Sequence, residues 1–193
     1  MSLALYDVVV PGRLECSGLA LRRGEITAIC GPNGAGKSTL LAVLAGLLAP
    51  ARGSVTLDDQ PLATLPGRTR ARHIGYLPQT AEVAWDIDVA TLAALGRLPW
   101  RTSPTEDRAA VSEALEAVDL AALARRPVSQ LSGGERARAL LARVLAGRPR
   151  WILADEHSRR SILRIRARCC AACVRWRTVA RGWCSFSTTS HAQ

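Results

Sequence analysis

Residues Gly31-Pro32-Asn33-Gly34-Ala35-Gly36-Lys37-Ser38-Thr39 fit the spacing G-x-x-x-x-G-K-[ST]. That spacing suits a polyanion. A triphosphate needs many donors at close range, and Gly34 and Gly36 expose backbone N–H groups where side chains would obstruct them. A helix start adds partial positive charge. Lys37 is the single lysine of a chain with 25 Arg, and it falls at the position that reaches the β and γ phosphates. Ser38 offers a hydroxyl to Mg²⁺, and Thr39 can cap phosphate oxygens.

Two further clusters carry chemistry. Trp151-Ile152-Leu153-Ala154-Asp155-Glu156 is an apolar run ending in two carboxylates. Alone it reads as a solvated cap after a strand. Beside a phosphate cradle, Asp155 becomes a candidate Mg²⁺ ligand on the strand next to the cradle strand. Glu156 would orient or deprotonate the attacking water. Leu131-Ser132-Gly133-Gly134-Glu135 opens a helix on whose face Leu140, Leu141, Val144 and Leu145 align. Ser132 can cap it, and the glycines bare its first amides as a second anion site.

These residues need elements to hold them. Glu25–Cys30, Ser54–Leu57, Ile74–Leu77 and Trp151–Ala154 read as strands, with Asp58-Asp59 a turn. Ser38–Leu48 reads as a helix stopped by Pro50, followed by helices over Val89–Leu98, Thr105–Val118 and the stretch up to Ala146.

The chain has 193 residues, 48% hydrophobic and 22% charged, which excludes wholesale disorder. The uncharged run Leu40–Ala49 is too short to span a bilayer, and residues 1–20 show no export leader. The net charge of +10 suggests nucleic-acid binding until it is located. Residues 1–156 hold 18 basic and 16 acidic residues, whereas 157–193 hold eight Arg and no acid. The body is nearly neutral, so no nucleic-acid partner is expected. Cys16 and Cys30 read as plain buried thiols of a cytosolic protein.

The order of cradle, Gly75-Tyr76-Leu77-Pro78-Gln79, Leu-Ser-Gly-Gly-Glu and apolar-Asp-Glu resembles the ATP-binding subunit of ABC transporters over about residues 3–156. The resemblance implies an α/β fold: a P-loop NTPase core, an N-terminal antiparallel β subdomain and a helical insertion near 84–130. It implies ATP and Mg²⁺ as cofactors, held by Gly31, Asn33, Gly34, Ala35, Gly36, Lys37, Ser38 and Thr39, with Gln79 reaching Mg²⁺ and the attacking water. Ser132, Gly133 and Gly134 would act in trans within a head-to-tail homodimer. Transmembrane permease subunits are the implied partners, and a periplasmic substrate-binding protein an indirect one. The implied location is cytoplasmic, peripheral on the inner face of the membrane. Arg72-His73-Ile74-Gly75-Tyr76-Leu77-Pro78-Gln79 and Ala94-Leu95-Gly96-Arg97-Leu98-Pro99 look like importers of iron-siderophore complexes, haem and cobalamin. There Arg97 either reflects partner choice or solvates a helix end. One departure stands out. The family stacks an aromatic on adenine from a loop after the first strand. Val10-Pro11-Gly12-Arg13 offers none, and Tyr6 comes too early.

After Glu156 the resemblance stops. His157-Ser158-Arg159-Arg160-Ser161-Ile162 stands where the family has a loop ending Leu-Asp. Loss of one base just after the Glu156 codon accounts for this. In the alternative frame residues 157–162 permit P-L-A-A-L-D, and residues near 183–191 permit V-V-L-V-L-H-D-L-A, an apolar strand running into the family's switch histidine. On this reading 157–193 is an out-of-frame tail, His191 is not that histidine, and the central sheet is incomplete with a bare apolar edge. A zinc site at Cys169-Cys170-x-x-Cys173 lacks a good fourth ligand. A nucleic-acid arm lacks an organised aromatic platform. The expectation is an importer ATPase with weak ATP binding, little hydrolysis and poor solubility. The alternative is a non-catalytic nucleotide-binding remnant or regulator. A DNA-repair ATPase would need a long coiled-coil insertion before Leu131, and none is present. Sequencing independent DNA across the Glu156 codon should reveal the missing base. An intact frame there would remove the account of the tail.

Overall fold

In the N-terminal β part, alternating side chains separate core from solvent. The computed structural model describes residues 2–79, 83, 86–155 and the backbone of 175–179. It falls into two compact units, Met1–Arg70 with Ala172–Gln193, and Ala71–Ala171. In the first, β1 (Ser2–Val10) pairs antiparallel with β2 (Leu14–Arg22) and with β4 (Arg52–Leu57). Leu3, Leu5, Val8, Leu14, Cys16, Val55 and Leu57 are buried, whereas Cys30, expected to be buried too, is exposed where the strand at Glu25–Ile29 gives way to the glycine loop. The β1–β4 register shifts between Tyr6 and Val9. Gly53 lies opposite that bulge with φ +86°, and a Cβ there would overlap the Tyr6 and Asp7 carbonyl oxygens. Asp58 and Asp59, both at positive φ, turn β4 into the two-residue edge strand β5 (Gln60–Pro61).

The strand β3 (Glu25–Ile29) leads into the glycine loop and α1 (Lys37–Leu44). The helix stops earlier than its sequence suggests. Gly46 takes φ +68°, with its N–H on Val43 O at 3.0 Å and Leu47 N–H on Ala42 O at 2.9 Å, so a left-handed glycine closes it well before Pro50. The partner of β3 is a second departure. β3 runs parallel to β8 (Arg175–Val179), from Glu25↔Arg175 to Ile29↔Val179. The tail read as out-of-frame therefore supplies a ladder to one edge of β3, an edge expected to be bare. Five residues alternating around β-formers suffice for that.

In the second unit, α2 (Gly67–His73) enters from the first and leads to β6 (Ile74–Leu77), parallel to β7 (Trp151–Ala154). The helices α3 (Val89–Ala94), α4 (Pro104–Ala117) and α5 (Gly133–Ala146) share a core of Leu77, Val89, Leu92, Leu115, Leu120, Val128, Leu140 and Leu141. Caps set their starts. Asp88 accepts from Thr91 N–H at 2.6 Å. Ser103 and Glu106 form a capping box with Pro104 in the first turn. The α-helical stretch expected to reach Leu98 ends at Ala94 and tightens to a 3₁₀ turn over Leu95–Arg97. There Gly96 presses on the last turn of α5, where a Cβ would overlap the Arg143 carbonyl oxygen.

Arg97 does not solvate a helix end; it is buried. Its side chain is 7% exposed, bonded to Asp107 at 2.7 Å, Thr102 Oγ1 at 2.9 Å and Ala146 O at 3.2 Å. The Trp100 ring faces the guanidinium carbons of both Arg97 and Arg72, 5.0 and 5.1 Å from its centroid, and its Nε1–H donates to Gly147 O at 2.9 Å. The open carbonyls ending α5 are thus taken by Arg97 and Trp100. No helix among the described residues is long and apolar enough to cross a membrane.

Gly96→Ala is expected to cost about 1–3 kcal/mol in urea unfolding, the usual scale of overpacking. Leu98→Ala, at a residue 70% exposed, should stay within about 0.5 kcal/mol. Equal losses would contradict this packing.

Candidate nucleotide-binding site

The first unit carries the cradle. β3 delivers the chain to Gly31–Gly34, all exposed, and Ala35 turns inward, 3% exposed, with its N–H on Pro32 O at 3.2 Å. Gly36 is the N-cap of α1 in the left-handed region, φ 75° and ψ 11°. A Cβ there would overlap the Arg13 carbonyl oxygen, so only glycine fits under the β1–β2 turn. Gly34, also at positive φ, has open space where its Cβ would be.

The start of α1 differs from those of the three other α-helices whose caps are described. No side chain accepts from its first amides and no acid stands in its first turn. Its orphan donors and dipole end face outward beside exposed Ser38 and half-buried Thr39. The Lys37 ammonium folds back over the loop onto Gly31 O at 3.1 Å and Pro32 O at 2.8 Å. A cation whose partners among the described residues are neutral carbonyls, beside amides no side chain caps, has every reason to prefer an anion.

The second unit carries Gln79, Ser132, Gly133, Gly134 and Asp155. The structure places Asp155 on a different ladder from the one expected. β7 pairs with β6, and β3 pairs with β8. The reason is local packing: Gly75 of β6 leaves room for Val144 and Pro149 against the sheet, which settles β6 beside β7 under α5. Because β6 and β7 are parallel with Leu77 opposite Ala154, Gln79 and Asp155 leave the sheet from one C-terminal edge. Asp155 N–H continues the ladder to Leu77 O at 2.9 Å. Its side chain is 5% exposed, and Gln79 is exposed. Burial, and then the Asp155 charge, push the Tyr76 hydroxyl above its usual pKa. Glu156 lies outside the described residues.

At α5 the expected anion site is already partly filled. Ser132 Oγ accepts from Glu135 N–H at 3.3 Å, and Glu135 Oε2 accepts from Ser132 N–H at 2.8 Å and from the hydroxyl at 2.7 Å. The hydroxyl and then the amide of Ser132 hold the Glu135 carboxyl below its usual range. Ser132-x-x-Glu135 was readable as a capping box, and the spacing was its signal. Gly133 and Gly134 meet nothing within 4 Å of their missing Cβ atoms, so a second body could approach them closely.

Ser38 hydroxyl, Gln79 amide and Asp155 carboxylate are hard oxygen donors that suit Mg²⁺ better than a soft metal. Among the described residues no group of three His, Cys, Asp or Glu could hold a metal alone.

The profile of the family described as ABC transporter matches residues 14–159. Over 145 residues the chain is 43% identical to the Hemin import ATP-binding protein HmuV of Thermobifida fusca, covering 74% of this chain and 51% of that protein. The protein of the same name from Pseudomonas entomophila is 48% identical over 128 residues, 66% of this chain and 50% of its own. The chain therefore spans about half the length of the curated relatives it matches. Among solved structures, a dimeric bacterial ABC transporter cassette superposes with a TM-score of 0.74 at 27% identity, over 84% of this chain and 79% of that one. The cbiO1 protein of Clostridium perfringens, part of the ABC transporter complex cbiONQ, gives 0.68 at 26% identity over 78% and 63%. A G-x-x-x-x-G-K-[ST] loop on an uncapped helix, a profile over most of the chain and these folds agree: the chain belongs to the ABC transporter family, as an ATP-binding domain with the P-loop α/β fold.

Proposed function

We propose that the chain binds ATP and Mg²⁺ at Gly31–Thr39 and derives from the ATPase subunit of an importer for haem or a related iron complex or cobalamin. The observation that carries this is the start of α1, where amides and Lys37 stand free of acidic partners. Backbone N–H groups of Gly34, Gly36 and Lys37 would surround the β-phosphate. Lys37 would exchange two carbonyls for phosphate oxygens. Ser38, Gln79 and Asp155 would hold Mg²⁺, which would neutralise phosphate charge. Glu156 would take the proton of the attacking water, and exposed Gln79 would orient that water. Ser132, Gly133 and Gly134 of a second copy would close on the γ-phosphate in a head-to-tail homodimer.

The cargo class rests on the hemin import relatives and on the Arg72–Gln79 and Ala94–Pro99 segments. Permease subunits at the inner membrane face, and a periplasmic binding protein beyond them, belong to the same reading. The divergent tail bears on activity. Read out of frame after Glu156, the chain lacks the following loop and the switch histidine, so binding outlasts hydrolysis. That favours, as second reading, a nucleotide-binding remnant or regulator without turnover.

A fluorescent ATP analogue should give a saturable signal with the 193-residue chain. Lys37→Ala should weaken it at least tenfold, the scale of a lost charge-assisted bond, at unchanged melting temperature. Equal affinity in the variant would contradict the cradle. With the frame restored after Glu156, ATP turnover should rise at least tenfold above the present chain. Glu156→Gln in that background should remove at least 99% of it. Turnover of several per second by the present chain would disprove the impairment.

A further inference from the structure

Two helices of this chain start beside bare glycines, and their starts differ in one respect. The first turn of α1 holds no acid. The first turn of α5 holds Glu135. Its Oε2 accepts from Ser132 N–H at 2.8 Å and from the Ser132 hydroxyl at 2.7 Å. An anion seated above Gly133 and Gly134 would call on those same donors. A carboxylate of the chain itself therefore already engages them. Two guanidinium groups act on the same point. The charges of Arg126 and Arg138 favour the ionised form of Glu135, after the larger effect of Ser132, yet neither arginine forms an ion pair with it. Arg138 Nε is buried without a hydrogen-bond partner, the one such side-chain atom among the described residues. Positive charge and an unused donor thus stand beside the helix start, independently of its dipole.

A phosphate approaching α5 has to take the N–H and hydroxyl of Ser132 from Glu135 and meets a like charge at close range. A phosphate approaching α1 meets neither obstacle. We propose that Glu135 is a built-in competitor for the anion site at α5: its carboxylate keeps the Ser132 donors until a terminal phosphate already anchored at α1 of a second copy displaces it, and Arg138 holds the incoming charge. Free polyphosphate then binds at α1 and is turned away at α5, so the nucleotide is loaded before the second copy closes. The proposal rests on the reading that Ser132, Gly133 and Gly134 close on the γ-phosphate, and it adds the residue that sets this order.

Amide spectra of the labelled 193-residue chain, titrated with inorganic tripolyphosphate, follow both helix starts at once. Glu135→Gln keeps an oxygen for Ser132 N–H and removes the charge. It should tighten the response of Gly133 and Gly134 about fivefold, the scale of exchanging a charged acceptor for a neutral one, with Gly34 and Gly36 within about twofold of wild type. Arg138→Gln, added to it, should weaken that response again roughly threefold, the scale of an exposed charge pair. A Gly133 and Gly134 response equal in wild type and Glu135→Gln, a gain matched at Gly34 and Gly36, or no loss on adding Arg138→Gln overturns the proposal and leaves the anion site at α5 standing. Silence at Gly133 and Gly134 in both proteins removes that site and the proposal with it. Silence at all four amides removes the cradle reading as well.

Discussion

The first unit is organised around one contact, the Arg13 carbonyl over Gly36. A residue with a Cβ cannot sit there, so the chain enters α1 through a left-handed glycine. That entry leaves no side chain in position to cap the helix. The uncapped start would be a defect in an ordinary domain, since orphan amides left unpaired cost free energy. Here they remain at the surface, beside a lysine whose ammonium is held by two neutral carbonyls. The four-stranded sheet β2-β1-β4-β5 fixes the turn from which Arg13 reaches down. β3 fixes the other end of the loop.

The second unit solves the opposite problem. Both ends of α5 are satisfied from within: Ser132 and Glu135 at the start, Arg97 and Trp100 at the finish. A helix closed at both ends is a rigid body with one permissive feature, the open space above Gly133 and Gly134. The ion pair of buried Arg97 with half-exposed Asp107 fixes geometry. It places Gly96 against Arg143 and ties the α3–α4 connection to the last turn of α5.

Local signals were legible where one physical effect dominated. β6 and β7 were readable to the residue, because a short apolar run bounded by proline or acids has few other uses. The cradle was legible because its glycines, lysine and hydroxyls are separately required. The end of α1 was misplaced because Pro50 is the louder breaker, while Gly46 acts first through its backbone. Arg97 was misread because an arginine's burial depends on partners 10 and 49 positions away, which periodicity does not show. Ladder partners were the least legible. Parallel strands join across long connections, so the pairing of β7 with β6, and of β3 with β8, is decided by packing between distant segments. Likewise, nothing local announces that Arg13 lies on Gly36.

The bare amides at the start of α1 are the anion grip on which nucleotide binding would depend. Amide chemical shifts of the labelled chain, followed while inorganic tripolyphosphate is added, test it residue by residue. The largest changes are predicted at Gly34, Gly36, Lys37 and Ser38, with the capped first turn of α4 unmoved. Shifts absent from those four amides, or equally large at Ser103–Glu106, would contradict it.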